Sequence, residues 1–276
     1  MKEDNVLQVY YGEKLVGTLA LTADYKAAFQ YAQEWLENGF SISPFSLPLK
    51  NQVFVPTKDY FSGLFGVFAD SLPDNWGRLL LDRLIRAHQQ NPDELTILDR
   101  LAIVGSSGMG ALTYYPEKSF DEETGKLDLD ELAEECQKIL NTEYSDKLDE
   151  LYHLGGTSGG ARPKIMTTIH GEEWIIKFPA HVDGKDTGKM EYDYSCCAKQ
   201  CQIAMSETKL FPSDRCKGYF GTKRFDRRPG GKRIHMLTAA ALLELDFEQP
   251  SLDYHSLMKL TKILTRDNEK DVENMF

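Results

Sequence analysis

The chain has 276 residues, of which 41% are hydrophobic and 27% charged, and its formal net charge is −11. This length suits two domains with separate cores, and the negative charge excludes broad nucleic-acid affinity, so we expect no direct nucleic-acid binding. No apolar run approaches the roughly 18 residues of a membrane helix, and the N-terminus lacks a signal-peptide core. The sequence therefore predicts a cytoplasmic protein without a membrane anchor.

The first part of the chain predicts a small β-rich domain, which we place at residues 1–118. Two short strands joined by a turn are predicted over 6–21, because β-forming residues flank a glycine. A helix is predicted to begin after Pro73, and a second, short one over 93–104. A glycine-rich segment, Gly105–Gly110, follows. It has no lysine behind it, so we interpret it as a turn into the aromatic strand after it.

Residues 119–150 are strongly acidic and include one amphipathic helical pattern, with apolar residues from Leu129 to Leu140 on one side. We interpret this range as a helical linker whose charges are solvated, with a second domain over 151–276.

The second domain opens with a glycine-rich loop that is followed by a predicted hairpin. Glycines such as Gly155 and Gly160 can bring backbone N–H groups close to an anion. The hairpin strands are IMTTI (165–169) and WIIKF (174–178), and the second carries Lys177. A strand lysine behind a glycine-rich loop is how kinases hold ATP phosphates. Ala161 and Arg162 replace the Lys and Ser/Thr of a Walker A loop, so we exclude that class.

A helix is predicted over 191–205, with Glu191 at its start and Tyr194, Cys197, Cys201 and Met205 on one side. Glu191 could pair with Lys177 and hold it toward phosphates, or could be a surface residue at a helix start; spacing alone leaves both open. The cysteine spacing lacks a CxxC motif or a histidine pair, so no metal site is assigned and we expect reduced thiols.

Strand-like pieces over 206–237 carry the only basic cluster in this acidic chain. A hairpin that presents solvated charge is favoured over a site for phosphate or a partner. The cluster consists of Lys223, Arg224, Arg227, Arg228, Lys232 and Arg233. The remainder is predicted to be largely helical.

These segments together resemble the HipA-type serine/threonine kinases, the toxin component of bacterial toxin–antitoxin pairs. The resemblance spans nearly the whole chain and its segments keep their order. The first half contributes YYGEKLVGTL (10–19), SLPL (46–49), FADSLPDNWGRLLLDR (68–83) and LAIVGSSGMGALTYYP (101–116). The second half contributes GGARPK (159–164), WIIKFP (174–179), Glu191-Tyr192 and KRFDR (223–227).

The resemblance implies an α+β fold, in which a small β-rich domain precedes a protein-kinase-like N-lobe and most of the C-terminal helical lobe is missing from this sequence. It implies ATP and Mg²⁺ as cofactors. It also assigns roles to particular positions. The mobile phosphate loop matches Gly159, Gly160, Ala161, Arg162, Pro163 and Lys164, the ATP-phosphate lysine matches Lys177, the hinge beside adenine matches Lys223, Arg224 and Phe225, and the autophosphorylation site falls at Thr157 or Ser158.

The sequence departs from the family in its catalytic part. The family's catalytic loop resembles D-x-H-x-K-N, and a metal-binding aspartate follows it; neither occurs here. Asp253-Tyr254-His255 continues without the asparagine, so we reject it and assign no catalytic or metal-binding residue. The resemblance implies a HipB-like DNA-binding antitoxin and, for the complete kinase, a protein substrate such as an aminoacyl-tRNA synthetase, glutamyl-tRNA synthetase being the family's type. Two functions stay open: an ATP-binding portion of such a kinase that is inactive alone, or a non-catalytic module that docks on an antitoxin or a separate catalytic chain.

Overall fold

A computed structural model of the chain provides the coordinates for most of the residues. The described residues are 6–73, 75–118, 128–157, 160–247, 249 and 251–276. Two residues predicted to belong to the site, Ser158 and Gly159, lie outside them, as does 119–127 of the acidic range.

The first part of the chain forms a five-stranded antiparallel sheet, with the strand order β4-β3-β2-β1-β5. Its strands are β1 (Val6–Tyr11), β2 (Lys14–Leu21), β3 (Ala27–Tyr31), β4 (Val53–Phe54) and β5 (Leu112–Tyr115). The predicted strand pair over 6–21 is confirmed. Gly17 is required where β2 meets β3, because a Cβ atom there would lie 2.3 Å from the carbonyl oxygen of Gln30.

The second part forms a four-stranded antiparallel sheet, with the order β6-β7-β9-β8. Its strands are β6 (Lys164–Ile169), β7 (Glu172–Lys177), β8 (Thr208–Phe211) and β9 (Tyr219–Lys223). The predicted hairpin is confirmed as β6 and β7. Its two-residue turn has positive φ at both His170 (52°) and Gly171 (78°), the combination that matches the strand twist. With these sheets and the helices below, the chain has a mixed architecture compatible with the predicted α+β class.

Short helices connect and cover the two sheets. They are α1 (Gln33–Asn38), α2 (Gly66–Ala69), α3 (Asn75–Ala87), α4 (Ile97–Val104), α5 (Leu129–Leu140), α6 (Leu148–Gly155), α7 (Thr187–Gln200), α8 (Ala239–Leu243), α9 (Tyr254–Leu264) and α10 (Asn268–Met275). None of the helices within the described ranges combines the length and apolarity that crossing a membrane requires.

Helix α7 differs from its prediction at both ends. It begins at Thr187, four residues before Glu191, and ends at Gln200. Cys201 and Met205, predicted to share one side of the helix with Tyr194 and Cys197, therefore lie beyond its end. Tyr194 and Cys197 are exposed, and the buried residue of the helix is Ser195. The first turn of this helix packs tightly against the second sheet. Gly188 lies so close to β9 that a Cβ atom would be 2.3 Å from the carbonyl oxygen of Gly218, which sequence periodicity does not report.

The described residues form two hydrophobic cores, and the second includes helices from well before its sheet. Buried residues of β7, such as Trp174 and Ile176, belong to one cluster with Leu80 of α3 and Leu132 of α5. The helix within the range predicted as a linker is thus part of this core. Each such fully buried leucine contributes about 1.5–3 kcal/mol, so α3 and α5 are held to the second sheet by hydrophobic burial.

We call the first sheet with its core the first unit and the second sheet with its core the second unit. Helix α8 packs against α2, so the C-terminal part of the chain contacts the first unit. The carboxylate of Asp70 accepts hydrogen bonds from the N–H (2.6 Å) and hydroxyl (2.8 Å) of Thr238, the residue that caps α8. At the other end, Glu244 accepts from the N–H of Gly66 at 3.0 Å. Gly66 allows the close approach, because a Cβ atom would lie 2.2 Å from the carbonyl oxygen of Ala241.

The Asp70 contact makes stability depend on pH. Burial raises the pKa of Asp70 to about 6, against the opposing effect of the two hydrogen bonds from Thr238. The folded state therefore binds this proton more tightly than the unfolded chain. The stability that the protonated carboxyl of Asp70 contributes is complete below about pH 4 and is lost as the pH rises through about 6. Relative to Asp70→Asn, we expect the wild-type free energy of unfolding to fall by about 1 kcal/mol from about pH 5 to about pH 7.5.

Urea denaturation at these two pH values measures this difference. Asp59→Asn, a substitution at an exposed aspartate, controls for the loss of one negative charge. Parallel pH profiles for the wild type and Asp70→Asn would contradict the prediction.

Candidate functional site

A lysine and a glutamate meet at the end of β7. Lys177 is the last residue of the strand, and its Nζ atom lies 2.7 Å from the Oε2 atom of Glu191 on α7. The same Nζ atom lies over the aromatic ring of Phe220 on β9, 5.3 Å from its centroid, in a cation–π contact. Spacing alone left open whether Glu191 pairs with Lys177 or is a surface residue at a helix start. In the structure it contacts the lysine.

A second pair of opposite charges faces the first across a small cleft. Arg162 in the glycine-rich loop lies 2.7 Å from Asp183, whose carboxylate also accepts the N–H of Ala180 at 2.7 Å. The cleft is lined by Arg162, Lys177, Asp183 and Glu191, with Phe220 and neighbouring residues completing the wall. Two cations thus stand beside two carboxylates in one concave surface, a composition that suits an anionic ligand able to exchange with a carboxylate.

The rest of the loop is shaped by its return into β6. Gly160 has φ of +99°, and the Nζ atom of the buried Lys164 donates to its carbonyl oxygen at 3.0 Å. Pro163 is buried and accepts the N–H of Phe178 at 2.8 Å, while Ala161 is exposed. Lys164 therefore stabilises the loop from within.

Thr157, one of the two candidates for autophosphorylation, points inward. It is buried, and its hydroxyl donates to the carbonyl oxygen of Ser107 at 3.1 Å. In this conformation the hydroxyl lies between two glycine-rich segments, so it must leave this position before it can accept a phosphoryl group. The other candidate, Ser158, is not among the described residues.

The predicted hinge lies at the end of β9. The N–H groups of Lys223 and Arg224 already donate within the sheet, to Glu207 and Glu173, at 2.8 Å each. They are thus engaged in strand pairing, whereas the side chain of Phe225 is 62% exposed at the strand end. The ammonium group of Lys223 pairs with Glu172.

The interpretation of the basic cluster as solvated charge is wrong for part of it. Arg228 and Lys232 are exposed, but the side chains of Arg224 and Arg227 are only 4% and 10% exposed. Both pair with Asp226, which is fully buried. The sequence analysis considered only the basic residues. An aspartate between two arginines, as in RFDR (224–227), could have indicated that these arginines are paired.

No metal-binding cluster stands out in the described part of the chain, where no group of three or more His, Cys, Asp or Glu residues is arranged to hold a metal ion. Cys197 and Cys201 are exposed free thiols. The sequence Asp253-Tyr254-His255 opens α9, and Asp253 caps that helix by accepting the N–H of Ser256 at 2.8 Å. A helix cap accounts for this aspartate.

Comparison with family models assigns both parts of the chain. A model described as the HipA N-terminal domain matches residues 7–115, and one described as the HipA-like C-terminal domain matches residues 156–276. The chain belongs to the HipA-like family. A search of curated proteins found no match.

The pair formed by Lys177 and Glu191 should contribute little to folding. Their side chains are 36% and 38% exposed, and ion pairs screened by water to this extent are worth less than about 1 kcal/mol. We therefore expect Glu191→Gln to change the free energy of unfolding, measured in urea, by less than about 1 kcal/mol.

Asp193→Asn is the matched control, because Asp193 lies in the same helix and pairs with Lys189 at 2.6 Å. If Glu191→Gln alone lowered the free energy of unfolding by more than about 2 kcal/mol, the pair would be a structural contact and the prediction would be contradicted.

Proposed function

We propose that this chain holds ATP as the nucleotide-binding part of a HipA-type serine/threonine kinase. The observation that carries the proposal is the contact of 2.7 Å between Lys177 and Glu191. In protein kinases, a strand lysine held by a helix glutamate in this way contacts the nucleotide phosphates. A lysine side chain without a partner samples many rotamers. A carboxylate that holds the ammonium group in one place therefore also determines where the phosphates bind.

The order of the elements supports a kinase-like N-lobe. A glycine-rich loop leads into β6, the lysine strand β7 follows, the glutamate helix α7 comes next, and β8 and β9 complete the sheet. β7 lies at the centre of this sheet between β6 and β9, so Lys177 is held by strand pairing on both sides.

The placement of ATP follows from the sheet. The phosphates would lie at Arg162 and Lys177, with the base near Phe225. Lys177 is paired with Phe220 in the β-sheet register, whereas Phe225 follows the other end of β9, so the proposed phosphate and base contacts lie towards opposite ends of this strand. The two cations and the exposed ring of Phe225 suit the phosphates and the base of a nucleotide, whereas no group of three or more His, Cys, Asp or Glu among the described residues is arranged to hold Mg²⁺.

Phosphoryl transfer requires groups that these 276 residues lack. The sequence contains no D-x-H-x-K-N segment, and without it no aspartate orients the hydroxyl that is to be phosphorylated. We therefore propose nucleotide binding without appreciable turnover by these residues alone.

The biological role that we propose follows from the family. A HipA-like toxin pairs with a HipB-like DNA-binding antitoxin, and the complete kinase phosphorylates a protein such as an aminoacyl-tRNA synthetase. The net charge of −11 supports an arrangement in which contact with DNA comes through the antitoxin.

The test of the proposal is the loss of nucleotide binding in Lys177→Ala. ATP should raise the melting temperature of the wild type, since a ligand that binds the folded state stabilises it. Removing the ammonium group should abolish this shift. Differential scanning fluorimetry with ATP measures the effect.

Lys209→Ala is the control, because Lys209 is an exposed lysine of β8 in the same sheet. It should keep the shift of the wild type. An undiminished shift in Lys177→Ala would remove this lysine from the role, and the absence of any shift in the wild type would overturn the proposed function.

A further inference from the structure

Asp226 is a fully buried carboxylate at the junction of the two units. It lies in the extension that follows β9, and four donors reach it. Arg224 approaches with two parallel hydrogen bonds, from Nε at 3.0 Å and from Nη2 at 2.8 Å. Arg227 donates from Nη1 at 2.6 Å, and the N–H of Gly110 donates at 2.8 Å. The last donor comes from the first unit, 116 residues earlier in the chain.

These contacts keep the carboxylate charged in the interior. Burial by itself raises the pKa of Asp226, but the hydrogen bonds and charge of Arg224, together with Gly110 and Arg227, lower it below its ordinary value. A buried charge with such partners is strongly destabilised when one of them is removed. The arrangement is therefore sensitive to the position of each donor.

The two arginines carry one more charge than Asp226 neutralises, and they have further acceptors. Arg224 donates from Nη1 to the Sδ atom of Met166 on β6 at 3.1 Å, whereas Arg227 reaches the first unit. Arg227 donates to the carbonyl oxygens of Gly108 at 3.0 Å and Gly110 at 2.8 Å. Arg233 donates to the carbonyl oxygen of Ser106. The segment Ser106–Gly110 thus closes over the guanidinium groups of Arg227 and Arg233. We call the assembly of Asp226, Arg224, Arg227 and this segment the clamp.

The clamp also determines where Phe225 points. Arg224 and Asp226 are joined by two hydrogen bonds on the inner side of the chain, so the residue between them is turned outward. Phe225 is accordingly 62% exposed, beside the end of β9 where the base is proposed to bind. At the opposite end of the site, the same Ser106–Gly110 segment accepts the hydroxyl of Thr157 through Ser107.

We propose that Asp226 and Arg227 are positioning residues of the nucleotide site. The clamp orients Phe225 toward the base, and it makes the Ser106–Gly110 segment of the first unit part of the support of that site. This inference rests on the proposed function, since it concerns the base end of the same site. It goes beyond the family assignment because it gives the N-terminal unit a part in nucleotide affinity.

Arg227→Gln tests the inference, with Arg228→Gln as the matched control. The two arginines are adjacent, but Arg228 is exposed. Calorimetric titration would compare ATP with inorganic tripolyphosphate, which lacks the base. We expect Arg227→Gln to weaken ATP binding at least about tenfold, to change tripolyphosphate binding less than about threefold, and Arg228→Gln to leave both unchanged.

Equal losses for both ligands would indicate general loosening and would overturn the inference, as would unchanged ATP binding in Arg227→Gln. If the wild type fails to bind ATP, the proposed function fails as well, so the two failures can be told apart. Should the variant not fold, amide exchange in the wild type decides. Because coupling is reciprocal, ATP should slow exchange at the Gly110 N–H at least about threefold, and an unchanged rate would overturn the inference.

Discussion

The exclusion of water from Asp226 is the constraint on which the arrangement of the two units depends. An ionised carboxylate with no exposed surface is stable only where several donors meet it, and here the donors come from both units. The hairpin after β9 provides the arginines, and the turn before β5 provides a backbone N–H and three carbonyl oxygens. If the units separated, the carboxylate would lose the N–H of Gly110, and the guanidinium of Arg227 would lose the carbonyl oxygens of Gly108 and Gly110.

The same junction is strengthened at a second place by contacts of a different kind. Helix α8 is capped by Thr238 and Asp70, and Gly66 lies directly against Ala241. Here burial keeps the pKa of Asp70 near 6, so this carboxyl contributes most where it is protonated, whereas Asp226 is stabilised in its charged form. Acidification therefore affects the two contacts in opposite directions, and no single pH is best for both.

The extent to which this fold could be predicted depends on how local each element is. The hairpin of β6 and β7 follows from alternating residues around His170-Gly171, and the sequence alone was sufficient to predict it. The start of α7 could not be predicted, because it depends on the approach of Gly188 to Gly218, thirty residues later. In the candidate site, the place of Lys177 on the second hairpin strand could be predicted, and its role in binding phosphate stays a prediction. The burial of Arg227 depends on an acceptor loop more than a hundred residues away, which charge counting does not register.

The charges in the cleft also bear on how a phosphate would bind. Lys177 and Arg162 are each already paired with a carboxylate, so an arriving phosphate gains only the difference between its own contacts and those it displaces. The two pairs differ in what displacement costs. Asp183 is well buried and keeps the N–H of Ala180 when Arg162 leaves, whereas Glu191 is more than a third exposed and can be rehydrated. Arg162 belongs to the glycine-rich loop, so its transfer to a phosphate would move that loop, while Lys177 can reach a phosphate without leaving its strand. Under the proposed function, a phosphate that draws Arg162 away from Asp183 would therefore couple binding to a movement of the loop.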